Sequence, residues 1–368
     1  MKPVPQNWKR LKVYPLAERR SLTHVDDIVI SPDSPPPPIA PELAQTVSGC
    51  ARRIISARNR NAGVILMFGA HLIRNGAGLI LDQMMARDWL THLATNGAAT
   101  IHDWEYSWFG RSTESVKANV ATGTFGAWDE TSRNIHLALL AGGLRGEGYG
   151  AALGRFIEED GTALPSSADL EAQIAGCPAD PLTAARADLL QMMREHQFPS
   201  GHIPVEHRWK ATSVLANAFR RNVPLTVHPG IGYDIISNHP IFNGAVIGRA
   251  AGIDFRVFGD SVETLDGGAV VSIGSAIMAP QVFEKSLSCV NNLRLNNGRT
   301  VVHDHTIYVV DLQEGGNWDW THGEPPKTNP AYYLRFCKSF SRMGGAMHYV
   351  EADNAAFLHN LYHELLRL

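Results

Sequence analysis

The chain has 368 residues, 44% of them hydrophobic, with 33 basic and 36 acidic side chains and a net charge of −3. That is enough apolar material for a sizeable core in one large α/β domain or two, and it leaves no basic footprint for nucleic acid or an anionic membrane surface. Four cysteines, Cys50, Cys177, Cys289 and Cys337, lie far apart and form no CxxC pair, which argues against a zinc ribbon or disulfide scaffold and fits a reducing compartment.

The N-terminal stretch is charged and lacks an apolar core, so no signal peptide is expected. No window approaches the roughly 18 uninterrupted apolar residues of a membrane span, and a cytoplasmic protein is expected. Ser31 to Pro41, SPDSPPPPIAP, cannot form helix or central strand and reads as an extended spacer. Residues 1–40 therefore form a Pro-rich extension, a surface arm or a tail reaching over a second copy. Helix is predicted from Pro41, a residue suited to a first turn.

Gly63 to Glu105 reads as strand, turn, helix, strand and a second small-residue turn. Val64 to Phe68 is short and apolar, as a buried strand should be. Gly69-Ala70-His71 follows, then an apolar helical pattern through Leu72, Ile73, Leu79, Ile80 and Met84. A second strand over Trp89 to Ala94 ends in Thr95-Asn96-Gly97-Ala98-Ala99. Such a βαβ unit lines a nucleotide crevice in doubly wound folds, although small residues also simply let helices pack close to a sheet.

Residues 106–219 read as a helical insertion, with helices over 127–158, 167–175, 181–196 and 207–221. Gly146, Gly148 and Gly150 make a GxGxG run with no strand before it, so it is a turn or packing site and no dinucleotide fingerprint. The alternation then resumes. A strand over 223–227 ends in His228-Pro229-Gly230-Ile231-Gly232-Tyr233-Asp234, with Asp234 able to cap the next helix. Ala269 to Ile273 is a β-branched strand ending in Gly274-Ser275-Ala276 at a helix start, a place where free N–H groups can bind an anion. Thr306 to Val310 runs into Asp311-Leu312-Gln313-Glu314-Gly315-Gly316-Asn317-Trp318-Asp319. Asp353 and Asn354 precede a last helix over 354–367, where Asp353 can cap the helix or bond a ribose hydroxyl.

Several of these segments resemble deoxyhypusine synthases. That family has Thr-Ser-Asn-Leu-Ile-Ser-Ser-Gly where this chain has Gly69-Ala70-His71-Leu72-Ile73-Arg74-Asn75-Gly76. It has Thr-Thr-Ala-Gly-Gly-Val-Glu-Glu-Asp where this chain reads Thr95 to Asp103. Its Asp-Gly-Ser-Leu-Gly-Asp turn resembles Gly230, Gly232 and Asp234, with His228 near the leading acid. Its Gly-Gly-Gly turn resembles Gly274 to Ala276. Gln313, Glu314 and Asp319 match a segment whose carboxylate binds the polyamine, although Gly316 replaces another acid. Pro330 to Lys338 keeps the proline and the lysine that forms a covalent imine in the family. A rival register places Arg335 on that lysine, and Tyr332 replaces a family acid.

The resemblance implies a doubly wound, Rossmann-like, mostly parallel α/β fold binding NAD, with 41–368 as a single domain. It implies a transferase or dehydrogenase that acts on an amine or polyamine through Lys338. Aromatic neighbours Tyr332, Tyr333 and Phe336 would help that amine lose its proton. Substrate contacts would come from Asp319, Glu314, His228 and Asp234. The cofactor would meet His71, Thr95, Asn96, Gly97, Ala98, Gly274, Ser275, Ala276, Asp311, Asp353 and Asn354. A homodimer or homotetramer is expected. Two other readings stay open: a nucleotide-binding protein without chemistry, and a metal hydrolase using histidines such as His102 with Asp103 and Glu105, or His303-Asp304-His305.

Overall fold

The computed structural model describes residues 7–368. The first six residues, part of the stretch from which the absence of a signal peptide was expected, lie outside the described residues. Six strands form the central sheet: β1 (Val64–Phe68), β2 (His92–Asn96), β3 (Leu225–His228), β4 (Ala269–Ile273), β5 (Thr306–Asp311) and β6 (Ala346–Glu351). Their spatial order is β3-β2-β1-β4-β5-β6, and every pairing is parallel. This is the doubly wound order in which the chain starts at the middle, builds outward one way, then returns to build outward the other way.

Alternation within the strands explains why both faces are covered. Val64, Leu66 and Phe68 of β1 enter one core with Leu93, Val227, Val271 and Val310. Ile65 and Met67 enter the other, with Ala94, Val270, Ile307 and Val309. A sheet buried on both faces needs apolar residues at consecutive positions, and β1 and β4 are buried throughout. Helices Pro41–Asn59, Gly78–Ala86, Gly97–Phe109 and Asn354–Leu365 cover the first face and Met278–Asn296 the second; Gly244–Val262 joins both cores, with Val246, Ile247 and Ala250 in the first and Phe258 and Val262 in the second.

The insertion departs from the expected helices in two places. The run over 127–158 is two helices, Asp129–Gly143 and Tyr149–Glu158, broken where Gly146 takes a positive φ. The run expected from 207 starts only at Val214, because Ser213 caps it by accepting from Ala216 N. Asp103 adds bonds to the first turn of the same helix, accepting from the N–H groups of Val214 and Leu215. Two short strands, Gly161–Leu164 and Gly201–Pro204, also pair within the insertion.

The N-terminal segment is tied into the body of its own chain. Thr23–His24 pairs with Arg111–Ser112. The Pro-rich arm lies on the last helix, where Ser34 O accepts from the rings of His359 and His363 and Pro37 O accepts from Asn360. The strongest tie is Arg19, which donates two bonds to the Glu105 carboxylate at 2.7 and 2.8 Å. Both side chains are 1% exposed. Ser112 and Thr131 hydroxyls donate to the same carboxylate, so every lone pair of the buried anion faces a donor. Removing one partner of such a pair leaves the other charged and unsolvated. Glu105→Ala should therefore lower unfolding free energy by about 3–5 kcal/mol, read by urea denaturation. An effect below about 1 kcal/mol would mean that the pair does not anchor the segment.

Candidate functional site

The order of the sheet places the ends of β1 and β4 side by side, at the point where the winding reverses. The chain leaves β1 through Gly69 and β4 through Gly274. A Cβ on Gly69 would collide with the Gly274 carbonyl, and one on Gly274, at φ +58°, would collide with the Asn354 amide. Packing alone thus demands both glycines. What they leave above them is a cleft of about 340 Å³.

His71, Asn96, Gly274, Ser275, Ala276, Asp311, Asp353 and Asn354 all line it, together with Asn75, Ile277, Met278 and Leu312. Two helices start at its edge. Met278–Asn296 begins after the β4 turn, where Ala279 N–H is held by Ser275 Oγ. Asn354–Leu365 begins after β6, where Asp353 caps it by accepting from Ala356 N at 2.8 Å. The cap and the cleft position of Asp353 are therefore both real. Asn354 is buried, and its Oδ1 has no hydrogen-bond partner. Three residues expected here lie elsewhere. Thr95 is buried and donates to Phe68 O at 2.8 Å. Gly97 packs against the Asp234 carboxylate, and Ala98 lines a second cavity.

That second cavity, of about 240 Å³, lies beyond the segments 70–74 and 96–98 that also wall the cleft. Its charged lining is Arg19, Arg74, Glu105, Glu114 and Asp234, with His102 among them. Arg19 and Glu105 neutralise each other. Glu114 is served by neutral donors, the Gly126 N–H, the Trp128 indole and the Asn119 amide. Burial holds the His102 ring neutral, with its pKa lowered to about 4, and its Nδ1 bonds the Ser112 hydroxyl. Asp234 does not cap the following turn with its side chain. Its carboxylate accepts from Gly230 N at 2.7 Å and from the Ala98 N–H, and its Oδ1 has no partner. Burial raises its pKa to about 6. Arg74 was open to detection in the sequence, since it stands where the resembled turn carries a serine. Arg19 was not, because only the fold brings it to Glu105.

Other expected positions do not converge on either space. His228 is buried beside Phe258, shares a hydrogen-bond relay with Thr226 and His92, and lines neither space. Glu314 is exposed. Asp319 is exposed and caps a short turn, accepting from Thr321. Lys338 differs most from expectation. Its Nζ lies 2.7 Å from Glu324 and 3.5 Å above the Tyr332 ring. The hydrogen bond to Glu324 raises the pKa of the amine, opposite to the lowering that a nucleophile needs. Tyr332 acts as a π partner for the cation and not as a desolvating wall. Arg335 of the rival register is exposed. Among the described residues no three histidine, cysteine or acidic side chains gather as a metal would require.

No family model and no curated protein matches the sequence. Among solved structures, the ternary complex of AgrE with ornithine and NAD+ aligns at 13% identity and a TM-score of 0.43, over 89% of this chain and 34% of that one. The chain thus spans about a third of AgrE's length. A putative LOR/SDH protein from Methanococcus maripaludis S2 aligns at 12% identity and 0.43, over 97% and 76% of the two chains. A putative deoxyhypusine synthase from Entamoeba histolytica aligns at 11% and 0.41, over 89% of each. At such identities and scores, neither substrate nor reaction transfers to this chain.

The ion pair at Lys338 has a direct test. Borohydride reduction in the presence of NAD and spermidine should leave Lys338 unmodified, as read by peptide mass spectrometry. A reduced adduct on Lys338 would show that the amine sheds its proton despite Glu324.

Proposed function

We propose that the chain is an NAD-dependent oxidoreductase acting on an amine, with the dinucleotide in the cleft between β1 and β4 and the amine in the adjoining cavity. One observation carries this: the doubly wound order places a cleft, edged by two helix starts and two carboxylates, where such folds receive dinucleotides.

The lining fits the cofactor. No lysine or arginine lines the cleft, so a pyrophosphate would rest on backbone N–H groups of the Ser275–Met278 turn, which a helix start leaves without intrahelical acceptors. Asp311 and Asp353 would take ribose hydroxyls, and the orphan Asn354 Oδ1 offers one more acceptor. NAD held there supplies a hydride acceptor.

The amine side depends on Asp234. Its unpartnered Oδ1 holds an ammonium, and the same oxygen takes the proton that the nitrogen sheds as a C–H hydride leaves and the C=N bond forms. Asp234 is suited to both tasks because its raised pKa lies within reach of neutral pH. Lys338, locked to Glu324, takes no part in this scheme, and the transfer of an aminoalkyl group through a lysine imine is not needed.

Two outcomes test the reading. Calorimetry with NAD should show saturable binding, weakened about tenfold by Asp353→Asn, a change that keeps the helix cap but removes the charge. No heat at millimolar NAD would overturn the proposal. A carboxylate whose pKa is raised to about 6 is ionised above that pH and protonated below it. Amine affinity should therefore hold at pH 7.5 and fall as pH drops through 6. Asp234→Asn should be weak at both pH values, with a flat profile.

A further inference from the structure

One charge in the second cavity has no use in the scheme above. Arg74 makes no ion pair among the described residues, and its buried Nε has no hydrogen-bond partner. Of the two buried carboxylates that line the same cavity, Glu105 is already bidentate to Arg19, and Asp234 makes no ion pair with Arg74. Arg74 is half-buried and its guanidinium stays charged at any ordinary pH, so its terminal nitrogens are available to an anion that enters the cavity. Its planar fork suits a carboxylate with two parallel bonds.

Across the same cavity stands the opposite defect. Asp234 is 3% exposed, and its Oδ1 is without a partner. One orphan cation and one orphan anion thus line a space of about 240 Å³. That is below the roughly 300 Å³ at which drug-sized pockets begin, so the occupant is small. A simple polyamine satisfies Asp234 and adds positive charge beside Arg74. A simple carboxylate does the reverse.

We infer that the substrate is a small amino acid, whose carboxylate is held by Arg74 and whose ammonium is held by Asp234. The inference rests on the oxidoreductase reading for the role of Asp234 but adds a second recognition point to the site. Arg74 lies three residues after His71 on the short helix Ala70–Arg74, so the helix that borders the dinucleotide cleft also carries the carboxylate anchor. His102, kept neutral by burial, can stand beside that carboxylate without competing for Arg74 as an anion would.

The experiment is calorimetry on the full chain, with and without NAD. The probes are the proteinogenic amino acids, the amines that lack their carboxyl groups, the acids that lack their amino groups, and spermidine. At least one amino acid should bind about tenfold or more tightly than both its matching amine and its matching acid. Arg74→Ala should erase the preference over the amine but keep amine binding, and Arg74→Lys should restore part of it. Binding of spermidine or a simple amine as tight as any amino acid would overturn the inference while leaving the oxidoreductase reading in place. Amino-acid binding in a protein that never binds NAD would do the opposite. Because the probe series is read on the unaltered protein, a variant that fails to fold does not remove the test.

Discussion

The whole arrangement depends on how closely two strand ends approach each other. β1 and β4 are neighbours in the middle of the sheet, yet they are separated by some two hundred residues of chain. Where they end, Gly69 and Gly274 stack backbone on backbone, with no room for a side chain at either position. Chain leaving β1 passes to one face, and the helix after β4 passes to the other. A crevice follows from that divergence, and the helix starts at its edge turn their positive ends toward it. Packing and ligand access are therefore two consequences of one contact.

Electrostatics then separates the two spaces. The cleft is edged by carboxylates and helix starts, a combination suited to a ligand carrying both hydroxyls and phosphates. The second cavity holds fixed charges in low dielectric, where pairing decides everything. Arg19 and Glu105 satisfy each other and form part of the wall; Arg74 and Asp234 do not, and remain available. Neighbouring residues of segments 70–75 and 96–98 face the two spaces, His71, Asn75 and Asn96 the cleft, Arg74 and Ala98 the cavity.

Much of the scaffold was legible in the sequence. Val64–Phe68 and Ala269–Ile273 appear at the bounds their apolar runs indicate, because a strand covered on both faces has no other composition open to it. Strand β2 was placed too early, since His92 is buried among hydroxyls and does not look like a core residue in isolation. The strand-end residues His71, Asn96, Gly274 to Ala276, Asp311, Asp353 and Asn354 come together around the cleft, while Thr95, Gly97 and Ala98 do not, because their side of the β2 turn faces the core and the second cavity. The surroundings of Lys338 were hidden from the sequence for a reason of another kind. A row of aromatics suggests desolvation, but Glu324, fourteen residues away in the chain, reaches the amine first.

Local pattern was thus sufficient for the strands buried on both faces and for the small-residue turns at their ends, because those depend on backbone geometry and on runs of apolar residues. Which charged groups cancel was decided by tertiary structure alone. Arg19 and Glu105 are eighty-six residues apart and meet only because the N-terminal segment folds back over the helix Gly97–Phe109. A buried charge is defined by the partner that the fold brings to it, and no single segment of sequence carries both members of a pair.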